Sequence, residues 1–130
     1  MGVVADDRQR LGKRGEELAC RELRRRGYAI LARRFRVRGG EIDIVARSGG
    51  VLVFVEVKCR STERFGAPAE AVTARKRQRL RRLATVYLSQ RFSCRALETV
   101  TCRFDVVEVV MGVEGRPTVR IIEGAFDGSG

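Results

Sequence analysis

Apolar positions along the chain fall into two helical stripes and several strand-like runs. Residues 8 to 26 repeat at helical spacing and stop at Gly27, a residue suited to the left-handed turn that closes a helix. Residues 28 to 37 (YAILARRFRV) read as a strand, which Gly39-Gly40 breaks. EIDIVAR (41 to 47) alternates with period two, and VLVFVEVK (51 to 58) is a strong apolar strand run. Ser48-Gly49-Gly50 between them reads as a hairpin turn. A loop is expected over 61 to 67, followed by a short helical turn, AEAV, opened by Pro68. Thr73 is placed to cap a longer helix over 74 to 91. FDVVEVVM (104 to 111) and VRIIEG (119 to 124) read as two further strands. The order αβββαββ predicts an α/β fold with a central mixed sheet of about five strands flanked by helices. The length fits a single domain, 1–130, with frayed tails at 1–7 and 125–130.

A tight turn at Gly49-Gly50 fixes a register in which Ser48 faces Val51 and Asp43 falls opposite Glu56. Directly opposed residues share a face, with Cβ atoms ~4.5–5.5 Å apart. Lys58, two positions beyond Glu56, joins that face, and Glu41 opposes Lys58. Ile42, Ile44 and Ala46 are expected on the other face with Val53, Val55 and Val57. Both faces are largely apolar, which indicates a sheet covered on both sides. Two neighbouring carboxylates at the edge of such a sheet repel each other and lose hydration. A divalent cation would relieve both costs, whereas a plain cross-strand charge pattern would not.

Each helix carries one charged residue on its apolar stripe. Glu16 lies 3, 4 and 7 positions before Ala19, Cys20 and Leu23, so it faces inward, while Glu17 shares a solvated side with Arg21 and Arg24. Either an internal arginine satisfies Glu16 or it points at the Asp43–Glu56 site. On the second helix Lys76 sits four positions before Leu80, on the stripe that continues through Leu83, Ala84 and Tyr87. Near the helix N-terminus it is placed to reach a phosphate, or else to snorkel to water.

Composition narrows the chemistry. Lys plus Arg number 27 against 16 Asp plus Glu, a net charge of +11, which favours polyanion capture and nucleic acid above all. There is no histidine, which removes Ser-His-Asp and Cys-His catalysis and His-ligated zinc. The four cysteines, Cys20, Cys59, Cys94 and Cys102, show no C-x-x-C spacing and are expected to be reduced, with Cys59 a bystander beside the site. The start lacks a signal-peptide pattern, and no run approaches the ~20 apolar residues of a membrane span. A cytoplasmic location without membrane attachment is expected.

The segments GKRGEELA (12 to 19), GGEIDIV (39 to 45), VFVEVK (53 to 58), AVTARK (71 to 76) and RFDVV (103 to 107), in this order over nearly the whole chain, resemble the YraN family of small bacterial proteins. That family is similar to archaeal Holliday-junction resolvases and to the PD-(D/E)XK nuclease superfamily; Ile42 stands where the superfamily signature has proline. The resemblance implies a restriction-endonuclease-like core. It also implies that Asp43 and Glu56 ligate Mg²⁺, that Lys58 positions or activates the attacking water, and that the helical acid is Glu16. The expected activity is metal-dependent endonuclease hydrolysis of DNA phosphodiesters, on branched or structured DNA, with Mg²⁺ or Mn²⁺ bound through oxygen ligands. The Val57 carbonyl would be a further ligand, and Glu16 would bind the metal directly or through water. Lys76, Arg36, Arg38, Arg75 and Arg79 would grip phosphates. A homodimer would match the two-fold character of a four-way junction. The rival readings are a nucleic-acid-binding module that keeps the fold without catalysis, and an assembly factor whose basic surface meets an acidic partner.

Overall fold

The computed structural model describes residues 3–61, 73–112 and 116–126. Within them the chain runs α1 (Val3–Arg25), β1 (Ala29–Val37), β2 (Gly40–Ser48), β3 (Val51–Ser61), α2 (Ala74–Arg91), α3 (Cys94–Leu97), β4 (Thr101–Met111) and β5 (Pro117–Phe126). The strands form one five-stranded sheet in the order β1-β2-β3-β4-β5. Pairing is antiparallel except between β3 and β4, which are parallel. A parallel neighbour requires a crossover, and α2 lies in that connection. The α/β class, the mixed sheet and the flanking helices are as expected.

The helix ends follow local chemistry. α1 closes with Gly27 at φ 91, while the Tyr28 and Gly27 amides bond back to the Leu23 and Arg24 carbonyls, the paired bonds of a Schellman cap. Thr73 caps α2 by accepting from the Lys76 amide at 3.2 Å. Three details differ from expectation. α1 begins at Val3, so residues 3–7, expected to fray, are helical; Val3-Val4 carry no start signal that a sequence reading can use. β5 reaches Phe126, across part of the expected C-terminal tail, because it pairs with β4 as far as Phe104. The one-turn α3 was not expected; Ser93 caps it through the Ala96 amide. The loop and helical turn expected over 61 to 72 lie outside the described residues beyond Ser61.

Each face of the sheet has its own core. On the α1 side Ala19, Cys20 and Leu23 pack with Tyr28, Ile44, Ala46, Val53, Val55, Val107 and Val109. On the α2 side Leu80, Leu83, Ala84 and Tyr87 pack with Ile42, Val45, Leu52, Phe54, Phe104 and Val106. Every apolar residue named on the two helical stripes is buried. Gly15 is where α1 comes closest to the sheet: a Cβ there would stand 2.0 Å from Cys59 Sγ. Gly15→Ala is therefore expected to cost about 1–3 kcal/mol through overpacking, in spite of alanine's better helix propensity. Adding Cys59→Ala should restore most of the loss in a denaturant double-mutant cycle, and equal losses in the single and double variants would disprove the contact.

The β2–β3 hairpin has the expected register. Ser48 faces Val51, and pairing continues to Ile44 opposite Val55. There the ladder ends, one step short of Asp43 and Glu56. Ile42 then packs on the α2 side although Ile44 and Ala46 pack on the α1 side. The expectation that these three share a face is corrected: strict alternation slips by one residue at Asp43. The break coincides with Arg34 on the neighbouring strand, which has φ 53, a left-handed conformation uncommon outside glycine. Regular β1–β2 partners bracket this position, Arg33 with Ile44 and Phe35 with Ile42.

Candidate functional site

The ladder break turns Asp43 from a strand residue into a site residue. Its Oδ2 accepts the Val57 amide at 2.8 Å, taking the place of a backbone carbonyl. It lines an open cleft of about 570 Å³ on the α1 side, with Lys13 and Glu16 from α1, Arg34 and Arg36 from β1, Glu41 from β2, and Val57 and Cys59 from β3. Burial first, and then the Glu56 charge, push the Asp43 carboxyl up to about 7, with the Val57 amide acting against them. Arg34, Lys58 and Lys76 act on Asp43 electrostatically, but among the described residues none forms an ion pair with it.

Glu56 lies at the end of the same hairpin and is buried. It is held from the α2 side: Lys76 Nζ is 2.6 Å from its Oε1, and Lys58 Nζ is 3.9 Å from the same oxygen. Asp43 and Glu56 are close enough to repel, but the slip leaves Asp43 in the α1-side cleft while Glu56 meets Lys76 of α2. The expected single shared face is corrected to a pair on opposite sides of the sheet, at the point where the β2–β3 pairing stops. Burial, and next the neighbouring Lys76, lower the Lys58 amine from lysine's usual range. Lys76, expected at a phosphate or snorkelling, forms an ion pair with Glu56 in this structure.

The helical wheel's choice of Glu16 over Glu17 agrees with burial, since Glu16 is 8% exposed and Glu17 is exposed. Of the two alternatives for Glu16, the arginine partner is present. Arg33 Nε stands 3.3 Å from one carboxylate oxygen and Arg34 Nε 3.0 Å from the other. Arg36 pairs with Glu41 at 2.6 Å and lines the cleft. Arg38 is exposed beside the β1–β2 turn, Arg75 is exposed in the first turn of α2, and Arg79 passes over Gly40. A side chain at Gly40 would meet Leu83 Cδ1 at 3.2 Å, so the glycine lets α2 bring its arginines onto the turn.

Asp105, on β4, shows what a fully satisfied version of the same device looks like. The β4–β5 register shifts between Phe104 and Val106, and Asp105 Oδ1 accepts the Gly124 amide at 3.0 Å in that gap. Asp105 also accepts from Arg103 Nε at 2.9 Å and Tyr28 Oη at 2.9 Å. Its charge is answered, so its role is structural. Sequence reasoning assigned no role to Asp105 or to Glu108, which pairs with Arg60 at 3.2 Å; a lone acid within an apolar strand run was the available signal. It also missed Arg33 and Arg34, signalled by two consecutive arginines in an otherwise half-apolar strand.

Among the described residues no group of three His, Cys, Asp or Glu side chains converges to hold a metal ion. The oxygen donors nearest one another where the β2–β3 pairing stops are the Asp43 and Glu56 carboxylates, with the Val57 backbone between β3 and Asp43. That set fits a hard cation such as Mg²⁺, which keeps several waters and needs only one or two carboxylates. Cys59 is a poor nucleophile: burial first, then Asp43 and Glu16, raise its thiol to about 11. The four cysteines are free, and no helix among the described residues is long and apolar enough to cross a membrane.

Asp43 also sets a pH dependence. Its folded carboxyl binds a proton more tightly than an unfolded aspartate, so its contribution to stability is fully present below about pH 4 and is lost as pH rises through about 7. In chelator, Asp43→Asn should therefore be more stable than wild type by about 2–4 kcal/mol at pH 8, with the gap closing toward pH 4. Thermal melts across that range test this, and a gap independent of pH would remove the titration of Asp43 as its source.

The fold and site together define an α/β protein with a five-stranded mixed sheet whose central hairpin ends in a carboxylate–lysine cluster beside a cleft lined by both basic and acidic side chains. The family model described as "Uncharacterised protein family UPF0102" matches residues 15–109, and the chain belongs to that family. It is 52% identical over 118 residues to a UPF0102 protein of Symbiobacterium thermophilum, covering 91% of this chain and 97% of the relative. It is 45% identical over 132 residues to one from Acidothermus cellulolyticus, covering 97% and 100%. It is 47% identical over 120 residues to one from Nocardia farcinica, covering 92% and 91%. The matched span takes in Glu16, Asp43, Glu56, Lys58 and Lys76.

Proposed function

We propose that this protein is a Mg²⁺-dependent endonuclease of the PD-(D/E)XK type that hydrolyses phosphodiester bonds in branched or structured DNA. The observation that carries the reading is the buried Asp43 carboxylate, which is pinned by the Val57 amide, forms no ion pair among the described residues and is raised to about 7 by burial and by Glu56. Asp105, at a similar ladder break, has an arginine, a tyrosine and an amide. Asp43 has the amide, a carboxylate neighbour and only longer-range attraction from Arg34, Lys58 and Lys76, an arrangement that suits a cation. Asp43, Glu56 and the Val57 carbonyl would hold the ion, and Mn²⁺ is an acceptable substitute. When bound, Mg²⁺ supplies Lewis acidity and a water of lowered pKa.

The chain's own groups do the rest. Lys58, less basic than an ordinary lysine, orients the attacking water and stabilises charge developing on the phosphate. Lys76 fixes Glu56 from the α2 side. Glu16 reaches the cleft beside Asp43, where a water-mediated contact to the ion is available to it. Arg36 and Arg38 stand at the β1–β2 turn, Arg79 of α2 passes over Gly40 of that turn and Arg75 lies in the first turn of α2, and these arginines hold the nucleic-acid backbone through salt-sensitive phosphate contacts. A cytoplasmic location and DNA in preference to RNA remain part of this reading, as does a homodimer on four-way DNA.

A second reading has one observation in its favour. Lys76 stands 2.6 Å from Glu56 and already answers its charge, as suits a module that binds nucleic acid without cutting it. Purified protein incubated with Mg²⁺ or Mn²⁺ on linear, single-stranded, flapped and four-way DNA separates the two. Nicking that stops with chelator and with Asp43→Ala supports the nuclease. Binding without metal-dependent cleavage on any of these substrates supports the module.

A further inference from the structure

The Arg33–Glu16–Arg34 cluster has features that an ordinary surface ion pair lacks. One buried carboxylate engages two guanidinium groups, one on each oxygen, and both contacts use Nε. The η nitrogens, the other donors of each fork, make no hydrogen bond among the described residues. About two-fifths of each arginine side chain remains exposed. Glu16 therefore holds the two guanidiniums side by side without using the donors that face outward. An arginine so held has already lost most of the side-chain freedom that binding would cost it.

Arg34 adds a second and independent observation. It adopts φ 53 within a strand, a conformation that costs about 1–3 kcal/mol and persists only where the surroundings enforce it. That backbone twist accompanies the guanidinium's position in the main cleft, where Arg34 is a wall residue together with Asp43. Arg33, Arg34, Glu16 and Lys13 also line an adjoining hollow of about 370 Å³. The two spaces share Lys13, Glu16 and Arg34, so an extended ligand in the cleft continues into the hollow without leaving the protein surface.

We propose that Arg33, Arg34 and Lys13, with the arginines clamped by Glu16, form a binding subsite for a backbone phosphate of nucleic acid, adjacent to the phosphate held at Asp43. The proposal rests on the nucleic-acid reading above and adds a site to it. Glu16 is then a positioning residue for the arginines. Fork-shaped guanidinium donors match the tetrahedral oxygens of a phosphodiester in a way that a lysine ammonium does not. The subsite lies at the β1 side of the sheet, whereas Arg120 lies on β5 at the opposite edge, which makes Arg120 a charge-matched control.

The test is binding of a fluorescein-labelled 20-nucleotide single-stranded DNA to the full chain in chelator, read by anisotropy across a salt series. The Arg33→Lys/Arg34→Lys double variant keeps the charge and loses the forks, and is expected to bind roughly 10-fold more weakly, in line with the loss of bidentate pairing. The Arg33→Ala/Arg34→Ala variant should weaken binding further and flatten the slope of log affinity against log salt by about 1.4, for two lost contacts to a single strand. Arg120→Ala should stay within about twofold of wild type. Melting curves on the same samples show whether each variant is folded, and Lys13→Ala, on an exposed residue, gives an independent reading with an expected loss of about threefold. Wild-type affinity in the double lysine variant would overturn the proposal, as would unchanged binding in Lys13→Ala where the double variants fail to fold, or equal losses from Arg120→Ala. The assay needs no cleavage, so binding that depends on these residues in a protein that cuts nothing would sink the nuclease reading and leave the subsite standing.

Discussion

Lys58→Ala is expected to lower metal-dependent DNA cleavage by about 10²–10³-fold, the usual cost of removing one well-placed donor to developing charge. Binding in chelator should change by less than about threefold, because Lys58 lies inside the cluster, 3.9 Å from Glu56, with its side chain only 23% exposed. Lys76→Ala should have a smaller effect on the rate, since its role is to hold Glu56 and the bound ion takes over part of that charge. Single-turnover assays at saturating protein separate the chemical step from binding. Equal cleavage by wild type and Lys58→Ala would take Lys58 out of the reaction, and a common loss of binding in both lysine variants would point to the cluster as a phosphate clamp.

Asp105→Ala is expected to be the most destabilising single change, costing about 2–4 kcal/mol, because it leaves the Tyr28 hydroxyl and the Gly124 amide without their acceptor and the partly exposed Arg103 without its pair. Asp105 is fully buried and joins Arg103, Tyr28 and the Gly124 amide, so its loss disconnects β4 from both the β5 bulge and the α1–β1 corner. Tyr28→Phe removes the hydroxyl's bonds to Asp105, Arg103 and Glu123 but leaves the Arg103–Asp105 pair in place, and should cost about 1–2 kcal/mol. Urea titration of both variants measures the difference. A loss below about 1 kcal/mol for Asp105→Ala would mean that Arg103 relaxes into solvent and that the network is not structural.

The contrast between these two aspartates also shows what a sequence can reveal. The hairpin register followed from Gly49-Gly50, because a tight turn leaves one pairing open, and it holds from Ser48 to Ile44. Glu16 was identifiable from the helical stripe because burial on a helix depends on local spacing alone. The slip at Asp43 was not, since alternation is an average property of strands and a one-residue break leaves no mark in EIDIVAR. Its companion, the left-handed Arg34, is equally silent, because nothing in ARRFRV distinguishes a twisted strand from a regular one. The pairings of Glu56 with Lys76 and of Glu16 with Arg33 and Arg34 join residues 17 or more positions apart, and only the assembled sheet brings them together.

β1 is an edge strand among the described residues, and an open edge invites pairing with another copy of itself. This one carries Arg33, Arg34 and Arg36 within its span, a register shift between Ile30 and Ala32, and the twist at Arg34. Two such edges brought together would face like charge with like charge over a bent backbone, so the arginines proposed to bind phosphates would also keep the sheet from growing sideways. A dimer of this protein must then form elsewhere, and the polyanion that neutralises β1 removes part of that protection. Excess nucleic acid, by quieting the charge, is expected to make the protein more prone to self-association, and light scattering at rising DNA-to-protein ratios would show it.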